Sequence, residues 1–327
     1  MTSIHKSGRR RWLSLLACLC ASPLAVVYAA YPERAIQLVV PFAPGGGSDI
    51  LARAVAKSMS NVGGFTVVVE NRPGAGGNIA AVAVARAKPD GYTIMLSSPS
   101  THGINPYIYK NAGYDPVKDF APIGQIGQGA MVLFANSSFP ASTPAELVAL
   151  VKKNPGKYTY GSPGSGTQHH LGMEQLKLKA QLDLPHAPYK GAGPGMVDLA
   201  AGHIPLMIGG FGPAATFIAQ GRIKVIGSPN LTRLDSAKTV PLFGETIPGV
   251  GVGASIGLAA PAGTPADVIK LLSDTLAKSL SDPELRKQMA VIGVDIDYQP
   301  ADVYQRMIVS ELPLWKEAVE ASGANAE

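Results

Sequence analysis

The chain has 327 residues, 46% hydrophobic and 16% charged. That excludes disorder, because enough apolar surface is present to offset ordering entropy, and the length favours two domains over one core. The formal charge of +5 would suit nucleic acid or an anionic membrane, but the charge is unevenly placed.

Residues 1–29 contain Lys6, Arg9, Arg10 and Arg11 and no acidic residue, leaving 24 basic against 23 acidic side chains in the rest. Nucleic acid is therefore excluded as an expected partner. A basic start, an apolar run from Trp12 broken at Pro23, and the small residues Val27 and Ala29 read as a signal peptide cleaved after Ala29. The run is too short and interrupted to span a membrane, so the expectation is export to the periplasm. Arg9 to Leu13 leaves twin-arginine export open, and Leu15-Leu16-Ala17-Cys18 leaves lipoprotein processing open. Cys18 and Cys20 both lie in this segment. The mature chain would lack disulfides, thiol catalysis and cysteine-ligated zinc.

From Tyr31 onward short apolar strands alternate with amphipathic helices. Residues 36–40 read as a strand, followed by the loop 41–47 and a helix from Asp49 with Ser48 as its N-cap. A strand at 66–70 runs through the loop 71–77 into an Ala/Val-rich helix capped by Asn78. A turn at 88–91 leads to a strand at 93–96 and a polar loop from Ser97 to Asn105. The rhythm repeats with a strand at 131–135, a capping box from Thr143 to Glu146, a strand at 158–160, the loop 161–167 and a helix to Ala180. Helices at 196–201 and 213–221 and strands at 204–208, 224–226 and 257–260 follow. Three helices close the chain, from Thr264, from Pro283 and over 301–320, the last with Trp315 turned inward. Strand–helix alternation predicts an α/β protein with mostly parallel sheets. No linker stands out, so the two domains are expected to be discontinuous. They would be joined by crossing segments at 123–130 and 250–259, whose glycines permit hinge motion.

The loops 41–47, 71–77 and 161–167 share one design: strand, glycine turn, helix start. Ligands of open α/β sheets sit at such strand ends, and a helix start offers unpaired N–H groups to an anion. Nucleotide motifs fail. Gly161 and Gly166 have Walker spacing, but Thr167 and Gln168 stand where lysine and a hydroxyl belong, and Ile79 replaces the third glycine of a dinucleotide fingerprint. In the third loop Ser162 and Ser165 are at the wrong offset from their glycines for a G-x-S-x-G elbow, and adjacent His169 and His170 do not make a zinc pair. What remains is a carboxylate held by backbone N–H and hydroxyl donors, with no Arg or Lys required. A side chain at Gly46 or Gly76 would occupy the anion's approach.

At these loops the chain resembles the Bug-type extracytoplasmic solute receptors, the binding subunits of tripartite tricarboxylate transporters. The resemblance is carried by Leu38-Val39-Val40-Pro41-Phe42-Ala43-Pro44-Gly45-Gly46 with Ser48-Asp49, and by Val68-Val69-Glu70-Asn71-Arg72-Pro73-Gly74-Ala75-Gly76-Gly77-Asn78. Lys88-Pro89-Asp90-Gly91-Tyr92, Tyr160-Gly161-Ser162-Pro163-Gly164, Pro188-Tyr189-Lys190-Gly191 and Ala260-Pro261-Ala262-Gly263-Thr264-Pro265 continue it. It implies a two-lobed periplasmic binding fold, with lobe 1 at 30–126 plus 256–327 and lobe 2 at 127–255. It implies a carboxylate ligand met by Phe42, Ala43, Pro44, Gly45, Gly46, Ser48 and Asp49, by Gly74, Ala75 and Gly76, by Ser97 and Ser98, and by Ser162, Thr167, Gln168, His169, Gly209 and Gly210. It implies no catalytic residue, metal or cofactor, and delivery by a monomer to membrane subunits of the tripartite tricarboxylate type. Gly209-Gly210 stands where many members carry an acidic residue and Asn, which argues against an amino-acid ligand. Two other readings stay open: a sensor feeding a signalling partner, and a secreted hydrolase using His169 or His170.

Overall fold

A computed structural model describes residues 31–323; the expected signal peptide and its cleavage point at Ala29 lie outside the described residues. The first sheet is built on β1 (Ile36–Val40), four of whose five residues are buried. It pairs in parallel with β2 (Val67–Asn71) and β3 (Thr93–Ser97). The helices α1 (Gly47–Gly63) and α2 (Asn78–Ala85) make the crossovers, and the short α3 (Asn105–Ile108) follows β3. Three strands extend this sheet by antiparallel pairing: β10 (Ser255–Pro261) on β3, β4 (Phe120–Gly129) on β10, and β11 (Val294–Pro300) on β4. The order is β11-β4-β10-β3-β1-β2.

The second sheet holds β5 (Val132–Asn136), β6 (Tyr160–Ser162), β7 (His186–Pro188), β8 (Leu206–Gly209) and β9 (Ile223–Gly227) in the order β7-β6-β8-β5-β9. Around it lie α4 (Pro144–Lys153), α5 (Gln168–Ala180), α6 (Ala192–Ala201), α7 (Phe211–Ala219) and the short α8 (Phe243–Thr246). β5 is buried on both faces. Leu133 and Ala135 enter one core and Val132 and Phe134 the other, as a period of two demands. The chain then returns through β10 to α9 (Ala266–Leu280), α10 (Pro283–Val291) and α11 (Ala301–Ser322).

The molecule is therefore two α/β lobes, each on a mixed sheet. Alternation alone predicts mainly parallel pairing. The difference arises because the segments that cross between lobes re-enter each sheet from the far end. β4 stays in the six-stranded sheet as far as Gly129, and after two intervening residues β5 begins in the other sheet. β10 lies antiparallel beside β4. The glycines of these segments serve close packing rather than unusual backbone angles: none of Gly124, Gly127, Gly253 and Gly257 has a left-handed φ. A Cβ on Gly127 would overlap the main-chain oxygen of Asp295, and one on Gly257 would overlap the Tyr304 ring.

Two caps also differ from expectation. Ser48 lies inside the first turn of α1, whose N-cap is Gly46. Asn78 is the first residue of α2, with Gly77 at the cap, and its Nδ2 donates to Ala112 O. Thr143 does cap α4, accepting from Glu146 N, while Glu146 accepts from Ser142 N instead of Thr143 N. Trp315 is buried, stacked over Gly103, where no side chain would fit.

Candidate functional site

A cavity lies between the lobes, with an empty volume of about 790 Å³ that includes its open mouth. The six-stranded lobe contributes Phe42, Gly46, Gly47, Ser48, Ser98 and Ser100. The other lobe contributes Pro163, Gln168, His169, Ala192 and Gly210. These residues share a position in the fold. Gly46 to Ser48 open α1, Gln168 opens α5, Ala192 opens α6 and Gly210 is the N-cap of α7. Four helix starts thus converge on one space, each with N–H groups that its own helix cannot satisfy and the positive end of its dipole. No Asp, Glu, Lys or Arg side chain lines it among the described residues. Any pull on an anion here comes from helix ends and not from a cationic side chain on the wall.

The first loop is held in shape by Asp49. Its carboxylate accepts from Gly45 N at 3.0 Å and Asn71 Nδ2 at 2.9 Å and pairs with Arg53 at 2.9 Å. Burial acts to raise the Asp49 pKa, but the bonds from Arg53, Gly45 and Asn71 outweigh it and hold the carboxyl below its ordinary value. Asp49 is thus a brace for the loop. Gly45, at φ +79°, makes the turn that lets its N–H point back to that carboxylate.

Three buried polar atoms on the cavity wall have no protein partner: Ser98 Oγ, Gln168 Oε1 and His169 Nδ1. Buried polar groups are paired almost everywhere in native proteins, and these three atoms are among the exceptions. Gln168 N is spent on Ser100 Oγ of the opposite lobe at 3.1 Å. Ser162 and Thr167 have other work. Ser162 Oγ bonds Gly164 O and lies 2.6 Å from His186 Nε2, and Thr167 Oγ1 caps α5 through His170 N. His170 accepts from Gly166 N and stacks on His186.

A second cavity, lined by Gly74 to Gly77, Tyr109, Gly164, Ser165, Tyr189 and Lys190, shares the walls Phe42 and Pro163 with the first. Gly74, Ala75 and Gly76 therefore sit at the lobe–lobe seam beside the first cavity. The lobes touch there: Ala43 N donates to Lys190 O at 3.0 Å, and Gly76 lies against Ser165. Of the remaining expected residues, Phe42, Gly46, Ser48, Ser98, Gln168, His169 and Gly210 line the first cavity, whereas Ala43, Pro44, Gly45, Ser97 and Gly209 stand behind it. Ser97 Oγ bonds Tyr304 OH. Sequence reading missed Ser100, Ala192, Ile256 and Ile292 to Val294. The glycine run around Ala192 was a usable signal; no motif marks Ile292.

Desolvation pushes His102, His169 and His170 down to about 4 and His186 to about 3, from an ordinary 6.5. All four are neutral at pH 7, so none supplies a cation to the cleft. The unfolded chain binds their protons more readily than the folded one. This stability is complete above about pH 6.5 and drains as pH falls toward 4. The urea midpoint is expected to drop between pH 7 and pH 5, with a slope of about 1.4 kcal/mol per pH unit for each proton taken up. A midpoint that stays level would show these rings to be hydrated.

Two α/β lobes around a cleft that carries helix ends are the architecture of solute-binding receptors of the periplasmic binding type. The chain belongs to the tripartite tricarboxylate transporter family receptors, TctC, whose model matches residues 51–324. Its fold superposes on the periplasmic binding protein BugD with a TM-score of 0.85 at 36% identity, covering 90% of this chain and 99% of that one. It is also similar to Rpa4515 of R. palustris, solved with adipate (TM-score 0.86, 30% identity, 90% and 99% covered). MatC of Rhodopseudomonas palustris, solved with bound malate, aligns at TM-score 0.82 and 28% identity, with 88% and 100% covered.

Proposed function

We propose that this chain is exported to the periplasm, captures a small carboxylate between its lobes and delivers it to the membrane subunits of a tripartite tricarboxylate transporter. The observation that carries the reading is the convergence of α1, α5, α6 and α7 on a cavity free of charged side chains. Each helix start favours an anion by about 0.3–1 kcal/mol, more when dry, and the unpartnered Ser98, Gln168 and His169 atoms supply polar contacts. The adipate and malate bound by two relatives are of the expected class. In this reading Gly46, Gly47, Ser48, Ser98, Gln168, His169, Ala192 and Gly210 meet the solute. Asp49, Ser162 and Thr167 shape the loops that present them. Gly74 to Gly76 act at the seam. The lobes divide near 129/130 and 254/255, and the receptor works as a monomer.

A thermal-shift series with adipate, malate, tricarboxylates and aromatic acids tests it on protein refolded free of co-purified solute. At 100 times its dissociation constant the right acid stabilises the native state by about 2.7 kcal/mol, on the order of 5 °C. If no carboxylate moves the melting curve, the reading fails.

A further inference from the structure

We infer that Asp295 is a positioning residue for solute capture: its carboxylate clasps the turn Asp235–Ala237 of the opposite lobe and holds the lobes closed. The inference rests on the reading of the cleft as a site that closes on its solute. The turn between α10 and β11 faces two ways. On one side Ile292, Gly293 and Val294 line the solute cavity. On the other, the same stretch grips the five-stranded lobe. Gly293 O accepts from Ala130 N at 2.6 Å, just where the chain has crossed over. Gly293 has φ +80°, and the space a side chain would need is filled by the Phe211 ring at the start of α7.

The next contact is the clasp itself. Asp295 Oδ2 accepts from Asp235 N at 2.6 Å, and Oδ1 accepts from Ser236 N at 2.9 Å. Leu234, Ala237 and Val240 are buried in the core of the five-stranded lobe, so this turn moves with that lobe. Asp295 moves with the other: it sits in β11, paired with Gln128 of β4. Two charge-assisted bonds therefore tie one rigid body to the other. A rotation that draws the turn at 235–237 away from β11 separates the carboxylate from the two N–H groups. Solute contact and lobe closure act on one segment of four residues, which couples them.

Asp295→Ala is expected to weaken carboxylate affinity about tenfold, mostly through faster release, and to enlarge the radius of gyration of the solute-free protein in small-angle scattering. Asp295→Asn keeps one acceptor oxygen and is expected to fall between the two. Asp235→Pro removes the N–H from the other side without touching β11. Leu234 is already extended, as a residue before proline prefers, and position 235 opens its turn. The two changes should act alike, and combined they should cost little more than either alone. Calorimetric titration with adipate and malate reads the affinities, and melting of the solute-free proteins checks their fold. Folded Asp295→Ala and Asp235→Pro proteins with unchanged affinity and unchanged radius of gyration overturn the inference. If the unaltered protein takes up no carboxylate, the proposed function falls instead. Scattering from the solute-free variants then decides the clasp: a larger radius upholds it and an equal one overturns it.

Discussion

Gly76→Ala is expected to abolish solute capture while leaving both lobes folded. Gly76 lies in the six-stranded lobe at φ +57°, and its carbonyl accepts from Asn105 Nδ2 at 3.2 Å. A Cβ there would overlap Ser165 O of the other lobe and stand 3.3 Å from Asn105 Oδ1. The overlap is with main chain on the far side of the cleft, so no side-chain rotation relieves it. The lobes must part instead. The left-handed φ by itself costs alanine only about 1–2 kcal/mol, and its neighbour Ala75 already holds φ +48°. The obstacle is thus to closure, not to folding, where the sequence expectation was that a side chain here would occupy the anion's approach. Affinity should fall at least about 100-fold, or 2.7 kcal/mol, with the solute-free melting temperature within about 3–6 °C of the unaltered protein. Gly45→Ala is the control. It bears the same kind of strain at φ +79° but meets nothing within 4 Å, so it should bind much more nearly normally. Normal binding by Gly76→Ala would mean that the seam is open in the solute-bound state.

The contrast between Gly45 and Gly76 shows what the chain order reveals of this receptor and what it hides. Glycine turns after strands are local features, so the three loops, the strands before them and the helices after them were legible, the third strand two residues too early in the chain. The role of each glycine was not, because it depends on what stands opposite. The same holds for hydroxyls. Thr167 and Ser162 have the right chemistry for a ligand, yet one caps α5 and the other bonds His186. Ser100, which no motif marks, reaches across the cleft to Gln168 N. The wall at Ile292 to Val294 was invisible because β11 joins the sheet by pairing with β4, far earlier in the chain. Pairing direction was hidden for a related reason: alternation records the crossovers within a lobe, not the return of β10 from the other lobe.

Gln168→Glu should be the most severe change that leaves the shape of the cleft intact. The two side chains are isosteric. Gln168 is 5% exposed, lines the cavity at the start of α5 and holds an unpartnered Oε1. A carboxylate in the first turn is favoured by the helix dipole and opposed by desolvation at this buried position, so the melting curve of the solute-free variant is part of the test. For a solute carboxylate the same substitution is ruinous. The protein would carry its own anion at the convergence of four helix starts, with no lysine or arginine on the wall to offset it. Two like charges about 4 Å apart repel by about 4 kcal/mol at an effective dielectric constant of 20, which predicts a loss of roughly a thousandfold. Calorimetric titration at pH 8 measures it, and a melting curve of the solute-free variant confirms the fold. Binding at the unaltered affinity would show that the anion does not sit at the start of α5. The carboxylate would then belong in the neighbouring cavity, where Lys190 offers the positive charge the first cavity lacks.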